Sequence, residues 1–121
     1  MWAIHHTQSE QYANLAQTSL QQGDVDRAMT YYRQAAEQET AALKTLDPAK
    51  KRTYGVTAVS AASLWYKAKA FQQAQQVACY GLATDGLPAF AVKALQELLE
   101  ESRKKAGVTF SEGEVLVSAI S

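Results

Sequence analysis

Residues that break helices are scarce in this sequence, which has only two prolines and six glycines among its 121 residues. Alanine and glutamine, both good helix formers, are abundant instead. The scarcity of helix-breaking residues favours long helices. The remaining prolines and glycines are therefore expected to mark helix ends.

Cysteine, excess charge and long apolar runs are also lacking. The single Cys79 has no partner for an internal disulfide, and its apolar surroundings predict a buried, unreactive thiol in a reducing compartment. Twelve basic residues balance twelve acidic ones, so no long-range field attracts nucleic acid. No apolar run approaches the roughly 20 residues that span a bilayer, and no signal peptide is apparent. We expect a cytoplasmic protein that binds neither nucleic acid nor membranes.

Patterns typical of catalysis and metal binding are missing as well. There is no glycine-rich phosphate loop, no zinc-ligand spacing and no serine–histidine–acid order. His5 and His6 are adjacent and have no further ligands nearby, which indicates a tag-like or disordered N-terminus. Four carboxylates are interpreted as helix caps and exposed helix charges: Asp24, Asp26, Glu37 and Glu39. The sequence thus predicts no enzyme, no catalytic residue, no metal site and no cofactor.

Helical periodicity is the main positive signal. The first stripe of residues with a 3.6-residue period consists of Tyr12, Leu15, Ala16, Ser19 and Leu20. It predicts a helix that begins at Thr7 or Ser9 and ends near Gly23. Asp24 is a suitable N-cap for a second helix, which continues to Asp47–Pro48.

Three further helices are predicted. Pro48 begins the third, which has a candidate interruption near Tyr54–Gly55. After a turn at Lys69–Ala70 the fourth begins, and Pro88 starts the fifth, which Gly107 is expected to stop. The run Lys50-Lys51-Arg52 is interpreted as a solvated helix face.

The C-terminal tail, residues 107–121, changes its pattern. Its apolar residues alternate with a period near two, which predicts a strand-like segment, either a small β-hairpin or the start of a further domain. The predicted fold is therefore an all-α domain of antiparallel helical hairpins over residues 7–106, with about five helices and this short tail.

An internal repeat is visible in the small residues. Twelve positions separate Ala16 from Ala28, and twelve separate Ala62 from Ala74, a spacing that lets paired antiparallel helices approach closely. Residues 9–42 resemble a tetratricopeptide repeat at Tyr12, Leu15, Ala16, Gly23, Ala28, Tyr32 and Ala35. A more divergent second unit, residues 55–88, has Lys69 where the family usually has glycine and matches at Ala62, Trp65, Ala74 and Gly81.

The resemblance implies a function in protein–protein interaction. Proteins similar to this family hold a peptide or protein in a groove lined by the first helix of each hairpin. Carried over by position, that groove presents Gln17, Leu20, Gln21, Ser63, Tyr66 and Lys67. Residues 88–105 resemble the solvating helix that closes such arrays. The alternative is a structural self-association module, a homodimer formed through helix five or the strand-like tail.

Overall fold

Five α-helices follow one another along the chain in the computed structural model, which describes the backbone of residues 1–120 and the side chains of residues 1–107. Over these residues the chain contains no strand, and the predicted all-α fold of helical hairpins is confirmed. The helices are α1 (Trp2–Gln21), α2 (Val25–Thr45), α3 (Lys51–Lys67), α4 (Phe71–Leu82) and α5 (Ala89–Ile120).

Turn chemistry places the helix ends close to the predicted positions. Gly23 adopts a φ of 80° between α1 and α2, and the Asp24 carboxylate accepts a hydrogen bond from the Arg27 backbone N–H at 3.1 Å. Lys69, between α3 and α4, has a φ of 59°. A side chain in this left-handed region costs about 1–2 kcal/mol, whereas glycine adopts it without that cost.

The helices pack in sequential order. α1 packs against α2, α2 against α3 and α3 against α4, and α5 then covers α4 and also contacts α3. The four small residues of the predicted repeat, Ala16, Ala28, Ala62 and Ala74, are all completely buried at these contacts. Small side chains therefore set the close distance between the two helices of each hairpin, as the twelve-residue spacing of the alanines predicts.

Gly55 does not interrupt α3, contrary to the predicted break near Tyr54–Gly55. The helix is continuous, and a Cβ added at Gly55 would lie 2.9 Å from the Cβ of Ala91. Gly81 has the same role in α4, because its added Cβ would lie 3.1 Å from the Cβ of Ala58. Both glycines serve close helix packing, a tertiary requirement that outweighs the local cost of glycine inside a helix.

Both ends of the chain are more helical than predicted. α1 begins at Trp2, ahead of the expected start at Thr7, and so includes the histidines assigned to a tag-like or disordered N-terminus. At the other end, α5 passes through Gly107 and includes the backbone of residues 107–120, where a strand was expected. A lone strand has no partner for its backbone hydrogen bonds, whereas a helix satisfies them locally.

The prediction of a buried thiol is wrong. Cys79 is exposed on α4, whose buried residues are Ala74, Val77, Ala78 and Gly81. Because successive residues of a helix point about 100° apart, the position after Ala78 faces away from the core. Within the described residues, no helix has the length and apolar character that crossing a membrane requires.

Candidate peptide-binding cleft

A cleft of about 350 Å³ lies between α3 and α5. The two helices run in the same direction. Gly55 near the start of α3 faces Ala91 near the start of α5, and Tyr66 near the end of α3 lines one cleft with Glu101 further along α5. Beyond this close approach the furrow is lined by residues three or four positions apart on each helix. We call it the α3–α5 cleft, and its lining residues are Val59, Ser63, Tyr66, Ala94, Glu97, Leu98 and Glu101.

The lining of the α3–α5 cleft divides by polarity. Val59, Ala94 and Leu98 are half-buried, whereas Glu97 and Glu101 are exposed. The ring of the half-buried Tyr66 contacts Phe71 edge-on, with ring centroids 5.3 Å apart and planes at 70°. This contact supports the tyrosine ring at the cleft, beside an apolar base and two carboxylates.

The six residues carried over from the family groove do not lie together. Ser63 and Tyr66 line the α3–α5 cleft. Lys67 instead extends toward α2, where its Nζ lies 5.9 Å from the centroid of the Tyr32 ring. The residues from α1 are exposed near the C-terminal end of that helix and are not part of the cleft lining: Gln17, Leu20 and Gln21.

Sequence reasoning missed the residues that α5 contributes to the cleft. Ala94, Leu98 and Glu101 follow one another at helical spacing, so their common face was visible in the sequence. Residues 88–105 were interpreted as a solvating helix, because the sequence does not show where α5 crosses α3. The structure places Glu97 and Glu101 at the cleft instead.

A second cleft, about 280 Å³ in volume, lies on the other side of α3 beside the N-terminal half of α1. Its central feature is a buried carboxylate. Glu39 is only 1% exposed, and its two oxygens lie 3.0 Å and 3.2 Å from Nδ1 of His6. The prediction that Glu39 is an exposed helix charge is therefore wrong. A buried carboxylate requires such a partner, because desolvation of an unpaired charge is costly.

Trp2 completes this arrangement. Its ring stacks on that of His6, with centroids 4.8 Å apart and planes at 9°, and its Nε1–H donates to Oγ1 of Thr57 at 3.1 Å. We call Trp2, His6, Glu39 and Thr57 the N-terminal clasp. The clasp ties the start of α1 to α2 and α3. It pairs residues 33 and 55 positions apart, which no local pattern in the sequence indicates.

Two further contacts of the histidines surround the clasp. His6 is also 3.6 Å from the exposed Glu10, and His5 is hydrogen-bonded to Gln38 at 2.8 Å. Throughout the described residues, no three histidine, cysteine, aspartate or glutamate side chains are arranged to hold a metal ion.

Arg52 of α3 lies between the clasp and the start of α5. It lines the cleft beside the clasp, and its guanidinium carbon lies 5.3 Å from the centroid of the Phe90 ring on α5. Phe90 and Val56 are each 47% exposed. Part of the run predicted to be a solvated face thus covers an aromatic ring at the start of α5.

Comparison of the chain with protein-family models, with curated proteins and with solved structures gives no match.

Proposed function

We propose that this chain is a protein-interaction module that holds a segment of another polypeptide in the α3–α5 cleft. The observation that carries this proposal is the cleft itself, an open furrow with a half-buried apolar base between two packed helices. Its volume, about 350 Å³, is at the lower end of the range of about 300–1,000 Å³ for ligand pockets. A site of this size suits one or two anchoring side chains of a peptide.

The shape of the cleft supports a peptide as the occupant. Two helices running side by side leave a linear furrow, the surface into which amphipathic helices and extended segments dock. Tyr66 is already held by Phe71, so a partner that covers it does not have to immobilise the tyrosine ring first. Tyrosine is also among the residues that contribute most to binding energy at protein interfaces.

The repeat pattern supports the same function. Proteins similar to the tetratricopeptide family bind peptides on the face formed by the first helix of each hairpin. In this chain α3 is the first helix of the second hairpin, and α5 follows α4 in the same packing order. The proposed site differs from the expected groove because it lies between α3 and α5 rather than between α1 and α3.

The proposal is tested by filling the cleft. A library of random peptides displayed on phage is selected on the purified chain, and the affinities of the synthetic binders are measured by fluorescence anisotropy. Ala94→Phe places a large ring in the cleft and is expected to lower affinity at least about tenfold, because the anchor and the new ring occupy the same space. The matched control is Gln96→Phe, which adds the same ring to an exposed position of α5 outside the cleft lining.

Two results would count against this function. One is that no peptide is enriched on the chain, and the other is that the binders retain full affinity for the Ala94→Phe variant. Light scattering on the same samples examines the alternative, self-association. A dimer that dissociates when residues 108–121 are removed would favour that alternative over peptide binding.

A further inference from the structure

We infer that the segment held in the α3–α5 cleft carries a cationic side chain, lysine or arginine, next to its apolar anchor. This inference rests on the proposed function and specifies the chemistry of the partner. Its basis is the charge of the cleft, since two of the seven lining residues are glutamates and none is basic. The chain as a whole has no net charge, so the negative character is local to this surface.

The two carboxylates are placed to act together. Glu97 and Glu101 are separated by four positions on α5, so their side chains lie on the same face one turn apart. Both are exposed, while the apolar side chains of the cleft beside them are half-buried. A partner whose apolar side chain enters the cleft therefore brings its neighbouring residues close to both carboxylates.

The carboxylates are not neutralised by strong internal pairs. Among the ion pairs of the described residues, Glu101 has only a contact of 3.8 Å with Lys104, and Lys104 is also 3.5 Å from Glu100. All three side chains are more than half exposed, and exposed pairs of this kind are weak and easily exchanged. Glu97 takes part in none of these ion pairs.

Two further features favour a cation over a neutral group. Lys67, the basic residue that follows Tyr66, points toward Tyr32 on α2 and leaves the cleft without a positive charge of its own. The Tyr66 ring lines the same cleft as the two carboxylates. Cations are attracted to the faces of aromatic rings, so the ring and the carboxylates favour the same ligand chemistry.

The size of the effect follows from solvent exposure. Exposed ion pairs contribute little free energy, so the cation is expected to determine selectivity and salt dependence more than total affinity. Removing both carboxylates should weaken binding of a cationic peptide about three- to tenfold at low salt, and less at high salt.

The test uses the same random peptide library on three forms of the full chain. These are the wild type, the double variant Glu97→Gln/Glu101→Gln and the control Glu100→Gln, which removes a charge from α5 outside the cleft lining. On the wild type and the control, we expect enriched peptides to carry lysine or arginine beside an apolar residue. On the double variant, the apolar residue should remain enriched while the basic one should not.

The possible outcomes separate this inference from the function on which it rests. If no peptide is enriched on the wild type, the proposed function fails. If apolar peptides are enriched without a basic neighbour, the proposed function stands and the inference is overturned. Equal loss of basic residues on the Glu100→Gln control would also overturn it, because the selection would then reflect the overall charge of α5. Since glutamine has nearly the same shape as glutamate and these positions are exposed, the variants should fold normally.

Discussion

The clefts on the two sides of α3 differ in the solvent exposure of their carboxylates. In the N-terminal clasp, Glu39 is buried and both of its oxygens face His6. In the α3–α5 cleft, Glu97 and Glu101 remain in solvent beside half-buried apolar residues. A satisfied buried carboxylate stabilises the packing of helices, whereas exposed carboxylates at an open apolar furrow can engage a partner. If the proposed function holds, one helical array uses buried charge for packing and exposed charge for recognition.

Removing the partner of the buried carboxylate is expected to have the largest effect. His6→Ala leaves Glu39 buried without its hydrogen-bonded partner. Losing one member of a buried pair costs about 3–5 kcal/mol. Because the His6 side chain is 34% exposed and water can partly replace it, we expect about 2 kcal/mol, measured as the free energy of unfolding in urea.

The neighbouring histidine provides the control for this prediction. His5 is hydrogen-bonded to the half-buried Gln38, so His5→Ala should cost less than about 1 kcal/mol. Neither substitution should change peptide affinity at the α3–α5 cleft. Equal destabilisation by the two variants would show that the buried position of Glu39 does not distinguish the clasp from an ordinary surface contact.

The spacing beneath the α3–α5 cleft can be changed at Gly55. Gly55→Ala places a Cβ 2.9 Å from the Cβ of Ala91, so α3 and α5 must move apart. Overpacking of this kind costs about 1–3 kcal/mol, partly offset by the better helix propensity of alanine, which leaves a net loss of about 1 kcal/mol. Peptide affinity should fall as well, because the two walls of the cleft are displaced.

Gly107→Ala is the matched substitution on α5. No atom lies within 4 Å of the added Cβ, so this variant should be neutral or more stable by up to about 1 kcal/mol. Thermal and urea unfolding of both variants would check the prediction. If Gly55→Ala were as stable as Gly107→Ala, close packing at Gly55 could not be what holds the helices at their observed distance.

Local features of this fold were predictable from the sequence, and long-range ones were not. The turn at Gly23 and the cap at Asp24 depend on neighbouring residues, and the buried alanines twelve apart lie on consecutive helices joined by a short turn. The His6–Glu39 pair joins residues 33 positions apart, so its burial was not visible in either segment alone. Gly55 suggested a helix break from the local sequence. The structure instead explains the glycine by the proximity of Ala91 in another helix, which leaves no room for a side chain.

The candidate site also has local features that the sequence predicts and long-range features that it does not. Ser63 and Tyr66 were predicted as groove residues from their position in the repeat, and both line one cleft. The opposite wall required knowing which face of α5 meets α3, and that depends on how the hairpins stack. For the same reason Lys67 was expected in the groove, although its side chain extends toward Tyr32 on the neighbouring hairpin.

The smallest predicted effect concerns Tyr54, a buried tyrosine of α3. Burial raises the pKa of its phenol above the ordinary value of 10.0; a hydrogen bond with Thr84 lowers this pKa, and interaction with Tyr80 raises it again. The folded chain therefore keeps the phenolic proton to higher pH than the unfolded chain does. The resulting stability is fully present below pH 10.0 and is lost as the pH rises through the raised folded-state pKa.

Tyr54→Phe isolates this contribution from the other groups that titrate in the same range. At neutral pH the variant should lose about 0.5 kcal/mol with the polar contacts of the phenol to Thr84 and Tyr80. Above pH 10.0, its free energy of unfolding should decline less steeply than that of the wild type, because it has no phenol at this position to ionise on unfolding. Urea unfolding across the alkaline range measures both slopes. Identical slopes would mean that Tyr54 ionises as readily in the folded chain as in the unfolded one, and that its burial does not favour the neutral form.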